Sequence, residues 1–211
     1  MAKERLKSPR ARLFVALDLP DAVREGLAAW QREELVDEAV RPSRAETLHM
    51  TLAFLGYHPE RAIERIAEAA TGFEAEAPLV RLLPEPVPVP RSRPRLFAID
   101  TDSKGSIALQ AEVERRLVEA RLYTPEKRAF WPHLTVARVR TERRAGGDRK
   151  RRRRGPPMRV ETPPGPLPEA LLEPLGAVRI TLYRSHLRPT GAEYESVAQL
   201  ELPSSGGGKV T

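Results

Sequence analysis

The sequence predicts an α+β fold made of two similar halves, each with antiparallel strands and helices packed outside them. The first observation is a repeat, because "RLFVALDL" at 12–19 is echoed by "RLFAIDTD" at 95–102. The second is a shared His-x-Thr pattern in "HMTLAFLG" at 49–56 and "HLTVAR" at 133–138. The two motifs recur in the same order at offsets of 83 and 84 residues, as in an internal duplication. We therefore expect two pseudo-symmetric lobes with a cleft between them.

The first half is expected to run strand, helix, strand, helix. Its opening strand at 12–19 is followed by Asp21, a suitable N-cap for a helix whose apolar residues recur at helical spacing. The strand at 48–54 alternates apolar residues with the His-x-Thr positions. A second helix at 59–73 begins with Pro59, a residue that suits a first helical turn.

The second half repeats this order up to its His-x-Thr strand. A strand at 95–102 leads into a helix that begins near 103–106, and the strand at 133–138 follows. Alternating apolar residues predict further strands at 79–83, 178–184 and 194–202. The "PTG" at 189–191 fits a loop between the last two strands, which would then be antiparallel.

These elements are expected to form a single bilobal domain over residues 12–202. The segments 1–11 and 203–211 have the composition of flexible tails. The Pro-rich stretch "LPEPVPVPRSRPR" at 83–95 is expected to link the halves over the surface. The segment 143–158, rich in Arg and Gly, is expected to be a basic loop insertion.

The composition limits the classes of protein that the chain can belong to. It has no cysteine, which excludes disulfides and zinc sites built from cysteine and fits a reducing compartment. The apolar run near the N-terminus, 13–17, is cut by Asp18 and is too short for a signal peptide or a membrane span. We expect a cytoplasmic protein that does not enter a membrane.

The net charge of +7 is confined to one segment. Residues 143–154 hold eight Lys or Arg and one Asp, whereas the rest of the chain has 28 basic and 28 acidic residues. A basic loop can attract RNA phosphates through counterion release. The alternative is a solvated insertion without a specific role.

Both His-x-Thr strands direct unusual side chains to one face. Because strand side chains alternate between faces, each histidine shares its face with the threonine two positions on and the alanine four positions on. The residues expected on this common face are His49, Thr51, Ala53, His133, Thr135 and Ala137. Two imidazoles on one ligand suit acid–base chemistry, in which a neutral ring takes a proton and a protonated ring gives one.

The neighbouring residues favour a phosphate ligand and disfavour a metal. Threonine hydroxyls can donate hydrogen bonds to non-bridging phosphate oxygens. Two histidines without an obvious carboxylate or cysteine partner make a poor ligand set, so no metal and no other cofactor are expected.

Four segments of the chain resemble one known family. They are "RLFVALDLP", "LHMTLAFLG", "RAFWPHLTVAR" and "LYRSHLRPTGAEYESVAQLEL". Together they resemble the RNA 2′,3′-cyclic phosphodiesterase branch of the two-histidine (2H) phosphoesterases, a branch first described through bacterial 2′-5′ RNA ligase activity. The resemblance spans about residues 12–202 and departs from the family pattern at 143–158.

The resemblance implies the 2H phosphoesterase fold and hydrolysis of RNA 2′,3′-cyclic phosphate ends to 2′-phosphomonoesters, without metal. It implies that His49 protonates the leaving 3′-oxygen, that His133 activates water, and that Thr51 and Thr135 hold the phosphate oxygens. The near symmetry of the repeat leaves the two histidine roles interchangeable. The implied partner is RNA with a cyclic phosphate end, such as a tRNA fragment, bound by a monomeric enzyme.

Three further residues beside the second motif are candidates for contact with RNA. Arg138 would add a phosphate ligand, but strict alternation points it away from His133 unless the strand ends or bulges first; otherwise it is a surface arginine. Phe130 and Trp131 would either stack on a base or pack into the core.

Three other functions remain open from the sequence. One is 2′-5′ RNA ligation, the same reaction in reverse. Another is hydrolysis of small cyclic nucleotides or ADP-ribose cyclic phosphate by a related 2H enzyme. The third, of a different class, is a non-catalytic RNA-binding module that uses the basic loop, which the two intact motifs disfavour.

Overall fold

The computed structural model describes residues 9–142, 155–188 and 191–203. The strands are β1 (Arg10–Asp18), β2 (Val40–Pro42), β3 (His49–Pro59), β4 (Leu79–Val89), β5 (Leu96–Asp102), β6 (His133–Val139), β7 (Leu175–Gly176), β8 (Arg179–Arg188) and β9 (Gly191–Glu201). The helices are α1 (Asp21–Glu34), α2 (Ile63–Thr71) and α3 (Lys104–Glu119). Short 3₁₀ turns lie at Ala45–Thr47, Glu60–Ala62 and Glu169–Leu171. The α+β class is confirmed.

In this part of the chain the strands form one antiparallel sheet in the order β7-β4-β5-β6-β3-β1-β8-β9, and β2 pairs with β6. The two halves meet at the middle of this order, where β3 of the first half pairs with β6 of the second through Met50 and Leu134. The two His-x-Thr strands are therefore direct neighbours. Each is flanked on its other side by the repeated strand of its own half, β1 or β5.

Apolar side chains of the central strands form the core beneath the helices. Leu13, Val15 and Leu17 of β1 are fully buried, as are Met50 and Leu134 of the two central strands. The alternate residues of the two central strands, which include both histidines, are only half-buried. Burial of one face of each strand thus fixes which side chains point to the other.

Helices α1 and α3 begin close to their predicted positions, whereas α2 begins at Ile63, because Pro59 is the last residue of β3 and a 3₁₀ turn at Glu60–Ala62 follows it. Ser103 caps α3, because its hydroxyl oxygen accepts a hydrogen bond from the Ser106 N–H at 3.0 Å. Asp21 is the first residue of α1 instead of its N-cap, and it pairs with Arg24 one turn later. None of the helices in the described ranges is long and apolar enough to cross a membrane.

The Pro-rich segment is a strand and not the predicted surface linker. Residues 79–89 form β4, and its second part pairs with β5 on one side, from Pro86 to Val89. Its other neighbour, β7, pairs only with Leu79 and Val80. Proline lacks an N–H donor, and it is tolerated where a strand has no ladder partner that would need one. The Pro84 carbonyl still accepts a hydrogen bond from the Leu167 N–H at 2.8 Å.

Two expected boundaries also move. Strand β1 begins at Arg10, and Ala11 is buried, so the ordered domain starts before residue 12. The end of the expected basic loop, 155–158, pairs with the chain just before it: Thr141 bridges Pro157, and the Met158 N–H donates to the Arg140 carbonyl at 2.8 Å. The Arg-rich part of that loop, 143–154, lies outside the described residues, as do 189–190 and most of both tails.

Candidate active site

The two histidines of the repeated motif line one cleft of about 720 Å³. Thr51, Thr135 and Arg138 line the same cleft. Strands β3 and β6 are antiparallel and pair at Met50 and Leu134, each of which directly follows one of the two histidines, so the imidazoles lie on either side of this pair at the junction of the two halves. The cleft therefore collects the five residues that the sequence proposed for the site.

Arg138 reaches the cleft because β6 carries a β-bulge. Thr135 pairs with Ala98 of β5, but Ala137 pairs with the adjacent Phe97, so one residue of β6 is extra. The bulge buries Ala137 and turns the exposed Arg138 to the side of Thr135. The expectation that Ala137 shares the histidine face is therefore wrong, and the bulge that Arg138 requires is present.

Strand β3 has the same bulge at the same place in its motif. Thr51 pairs with Ala16 of β1, and Ala53 pairs with the adjacent Val15. Ala53 is buried but still lines the cleft with His49 and Thr51, as expected, and Phe54 also turns toward the cleft. Phe54 is thus the counterpart of Arg138 in the first half: one lobe offers an aromatic ring where the other offers a cation.

The orientation of His133 is set by its own backbone. Its Nδ1 lies 2.7 Å from the Trp131 carbonyl oxygen. Because a carbonyl can only accept, Nδ1 carries the proton and donates, which leaves Nε2 of the neutral ring as the basic nitrogen. His49 likewise makes a hydrogen bond to the backbone two residues before it, at Thr47. The two imidazoles are therefore held in the same way.

A buried carboxylate stands opposite His49 on the neighbouring strand. Asp18 is its cross-strand partner and is 1% exposed. The Asp18 carboxylate accepts hydrogen bonds from Thr181 Oγ1 at 2.8 Å, from Arg179 Nε at 3.1 Å and from Tyr183 Oη at 3.1 Å. Burial and this negative charge raise the pKa of Tyr183 to about 12, so that its hydroxyl stays protonated and can donate.

Burial shifts the pKa of both imidazoles downward. It lowers the pKa of His49 to about 4, with smaller downward contributions from the charges of Arg138 and His133 and an opposing one from Asp18. Burial also lowers the pKa of His133, against the Trp131 hydrogen bond and the charge of Asp100.

These pKa directions predict how the protein responds to a phosphate ligand. Both rings are expected to be neutral at pH 7 in the free protein, and an anion placed between them favours the protonated forms. Binding of a nucleoside 2′-phosphate should therefore raise the pKa of His49 and of His133. Histidine NMR titrations with and without nucleotide measure this, with His58 and His186 as internal controls. Unchanged pKa values for both cleft histidines would contradict the placement of the phosphate.

The walls of the cleft are basic and aromatic. Arg41 and Arg44 line it beside β2, and Tyr194 of β9 lines it opposite, with its ring centroid 5.5 Å from that of His49. The Arg44 guanidinium donates to the Ala192 carbonyl at 2.9 Å, which holds β9 to this wall. Such a cleft has cations for phosphates and ring faces for bases.

The two aromatic residues before His133 have different environments. Phe130 is half-buried and packs against the core. Trp131 is 38% exposed, and its ring stacks on the His133 imidazole with centroids 3.9 Å apart and planes 17° apart. The sequence predicted that these rings stack on a nucleobase or pack into the core. In the structure the Trp131 ring stacks on the His133 imidazole.

The described ranges 9–142, 155–188 and 191–203 contain several possible metal ligands. In them no three His, Cys, Asp or Glu side chains are grouped so that they could hold a metal ion. The side chains that line the cleft with the two histidines include the threonine hydroxyls and Arg138. These groups suit the oxygens of a phosphate ester.

Comparison with known proteins identifies the family of the chain. The family model described as LigT like Phosphoesterase matches residues 17–82, which include His49 and Thr51. The RNA 2′,3′-cyclic phosphodiesterase of Escherichia coli is 31% identical over 134 residues, 62% of this chain and 73% of the relative. The chain belongs to the LigT-like phosphoesterase family. A second relative of the same name, from Methanocaldococcus jannaschii, is 26% identical over 89% of this chain and 99% of its own length.

A solved structure confirms the 2H phosphoesterase fold for this LigT-like chain. The crystal structure of TT0787 of Thermus thermophilus is similar with a TM-score of 0.71 and 25% identity, over 92% of this chain and 100% of that one. The resemblance drawn from the repeated motifs is therefore confirmed at the level of family and fold. The chain is a phosphoesterase.

Sequence reasoning missed three residues of this phosphoesterase site. Asp18 interrupts an apolar strand, a signal that the sequence analysis took only as evidence against a membrane span. Strict alternation along the strand at 48–54 puts Phe54 on the apolar face with Met50 and Leu52, and the bulge in β3 is not visible in that alternation. Tyr194 lies far along the chain, and nothing in its local pattern marks it as part of the cleft.

Proposed function

We propose that this chain hydrolyses the 2′,3′-cyclic phosphate at the end of an RNA to a 2′-phosphomonoester. The proposal is supported by the names of its relatives, which are RNA 2′,3′-cyclic phosphodiesterases. The observation that carries it is the pairing of β3 with β6, because this places two imidazoles and two threonine hydroxyls around one cleft.

The proposed reaction is a single displacement at phosphorus. Nε2 of neutral His133 takes a proton from water while the water oxygen attacks phosphorus in line with the 3′-oxygen. The bond between phosphorus and the 3′-oxygen breaks, and protonated His49 gives its proton to that oxygen. The reaction consumes one water, and the two histidines end with exchanged protonation states, which proton exchange with solvent resets.

Three side chains are proposed to stabilise the charge on the non-bridging oxygens. Thr51 and Thr135 each project a hydroxyl from the residue two positions after a histidine, and Arg138 adds a guanidinium from the bulge. Preorganised donors of this kind act mainly on the transition state, in which the charge on these oxygens increases.

The two histidine roles are taken from the family resemblance, and the protonation of the two rings is compatible with them. His133 is neutral at pH 7, as a base must be, and its tautomer leaves Nε2 free for the proton of water. His49 must be protonated to act as the acid, although burial lowers its pKa in the free protein. The charge of Asp18 and the bound phosphodiester anion both favour the protonated ring, so substrate binding charges the acid.

A metal is not part of the proposed reaction, so activity should survive chelation. A short RNA with a 2′,3′-cyclic phosphate end, incubated with enzyme and excess EDTA, is expected to give a 2′-phosphomonoester by chromatography against 2′- and 3′-phosphate standards. Loss of turnover in EDTA that zinc or manganese restores would overturn the metal-free mechanism. A 3′-phosphate product would overturn the assignment of the leaving oxygen.

The same assay separates hydrolysis from ligation. With a second RNA that has a 5′-hydroxyl end, a ligase would give a joined strand with a 2′-5′ linkage, which the proposal does not expect as the main product. We further propose that the enzyme works as a cytoplasmic monomer, with tRNA fragments among its substrates. Sedimentation of the purified chain tests the oligomeric state.

A further inference from the structure

Three contacts connect Asp100, Trp131 and His133 on the second lobe. The Trp131 indole N–H donates to Asp100 Oδ1 at 2.6 Å. The indole ring stacks on the His133 imidazole at 3.9 Å between centroids. The Trp131 carbonyl accepts the Nδ1 proton of His133 at 2.7 Å. Trp131 thus contacts the imidazole with both its side chain and its backbone, and Asp100 fixes the side chain.

The sheet places these groups together. Asp100 is the cross-strand partner of His133, so its side chain projects from β5 next to the imidazole. The backbone just before β6 is anchored separately, because the N–H and the hydroxyl of Thr101 donate to the Pro132 carbonyl at 3.2 and 3.1 Å. A change at Asp100 or in the indole therefore alters the ring contacts while leaving this backbone attachment in place.

We propose that Asp100 and Trp131 are positioning residues for His133: the carboxylate holds the indole, and the indole holds the imidazole in the orientation that presents Nε2 to the phosphate. The inference rests on the proposed function of His133. Neither residue is assumed to touch the reacting atoms.

The pair also acts on the charge of the imidazole. The face of the Trp131 indole attracts a cation, and the Asp100 carboxylate attracts one at longer range. Both residues therefore favour the protonated form of the His133 imidazole. The other charged or titratable groups that face this cleft are His49 on β3, Arg41 on β2, Arg44 before β3, Arg138 on β6, and Glu114, Tyr123, Glu126, Arg128 and Tyr194 on its walls. Asp100 is the carboxylate whose charge raises the pKa of His133 against burial.

A histidine NMR titration tests the charge effect without an activity assay. Asp100→Asn keeps an oxygen that can accept the indole N–H but removes the charge, so the His133 pKa should shift downward. Asp102→Asn removes a carboxylate two residues along the same strand and is expected to leave the His133 pKa at the parent value. An Asp100→Asn titration that coincides with the parent would overturn the charge effect.

Steady-state kinetics test the positioning. Trp131→Phe loses the indole N–H and is expected to lower kcat about tenfold to a hundredfold, because small misplacements of a reacting group cost rates of that order. Asp100→Ala should show a similar loss, and Asp100→Asn should recover most of it. KM should stay near the parent value in all three. If the variants instead raised KM without changing kcat, and if the size of this effect depended on the nucleobase of the substrate, the positioning role would be overturned. Trp131 would then act by stacking on the nucleobase.

Failure of this inference is distinguishable from failure of the proposed function. If His133→Ala kept its activity, the proposed function would fail, while the NMR titration would still report whether Asp100 acts on the imidazole. If His133→Ala lost activity but Trp131→Phe and Asp100→Ala had the kcat of the parent, the function would stand and the positioning role would be overturned. Circular dichroism and thermal melting of each variant check that it is folded.

Discussion

Alanine at either His49 or His133 is expected to lower kcat by about 10²–10⁴-fold, the usual contribution of one acid or base in a hydrolytic site. The two imidazoles line one cleft, and each is held by the backbone two residues before it. Removal of either ring leaves in place the side chains that donate hydrogen bonds to the phosphate. It removes the group that accepts or gives the proton in one of the two proton transfers. The measurement is turnover of a 2′,3′-cyclic mononucleotide, which is small enough not to depend on the Arg-rich loop.

His58→Ala and His186→Ala are matched controls for this prediction. The His58 ring makes a hydrogen bond to the Leu55 carbonyl, and the His186 ring pairs with Glu195, in both cases away from the catalytic cleft. Both variants should keep the turnover of the parent. Near-parent turnover in either His49→Ala or His133→Ala would show that the two-histidine assignment is wrong.

A substrate with a better leaving group separates the two histidine roles. A 3′-deoxynucleoside 2′-(4-nitrophenyl phosphate), which has no neighbouring hydroxyl that could displace the leaving group, releases nitrophenolate, and this leaving group needs little protonation. His49→Ala should recover much of its activity on this substrate if His49 is the acid, whereas His133→Ala should remain slow because water still needs a base. The opposite pattern would exchange the two roles.

Arg138→Gln is expected to lower kcat for the cyclic phosphate by about 10²–10³-fold, the range found when one preorganised donor is removed from a transition-state anion. The bulge in β6 turns this guanidinium to the face of Thr135, where it can contact a phosphate oxygen. Glutamine keeps a hydrogen-bond donor and much of the side-chain length, so the expected loss reports the charge and the paired donors of the guanidinium.

Arg140→Gln is the matched control for Arg138→Gln. Arg140 is exposed just after β6, its backbone N–H donates to the Ala39 carbonyl at 2.7 Å, and its side chain does not line the cleft. Its substitution should leave turnover unchanged. Equal kinetics of the two variants would mean that Arg138 is a surface arginine, as strict alternation in β6 suggested.

The sequence alone predicted the fold class and five residues of the candidate site, and its resemblance to known proteins predicted the family. The reason is the duplication: one His-x-Thr strand carries little information, but two at nearly equal offsets within a repeated unit predict a shared cleft. The α+β class followed from hydrophobic periodicity, and the capping Ser103 marks the start of α3. Burial of one face of each strand determines which side chains lie on the other face, and the spacing of apolar residues in the sequence shows which face is buried.

Only the tertiary structure decided which side chains surround the two histidines. The bulges after Thr51 and Thr135 bury an alanine and turn Phe54 and Arg138 into the cleft, and alternation does not reveal an extra residue in a strand. Pairing between distant strands also places Asp18 opposite His49 and Asp100 opposite His133. Such long-range pairings depend on the register of the whole sheet, so no local pattern in the sequence specifies them.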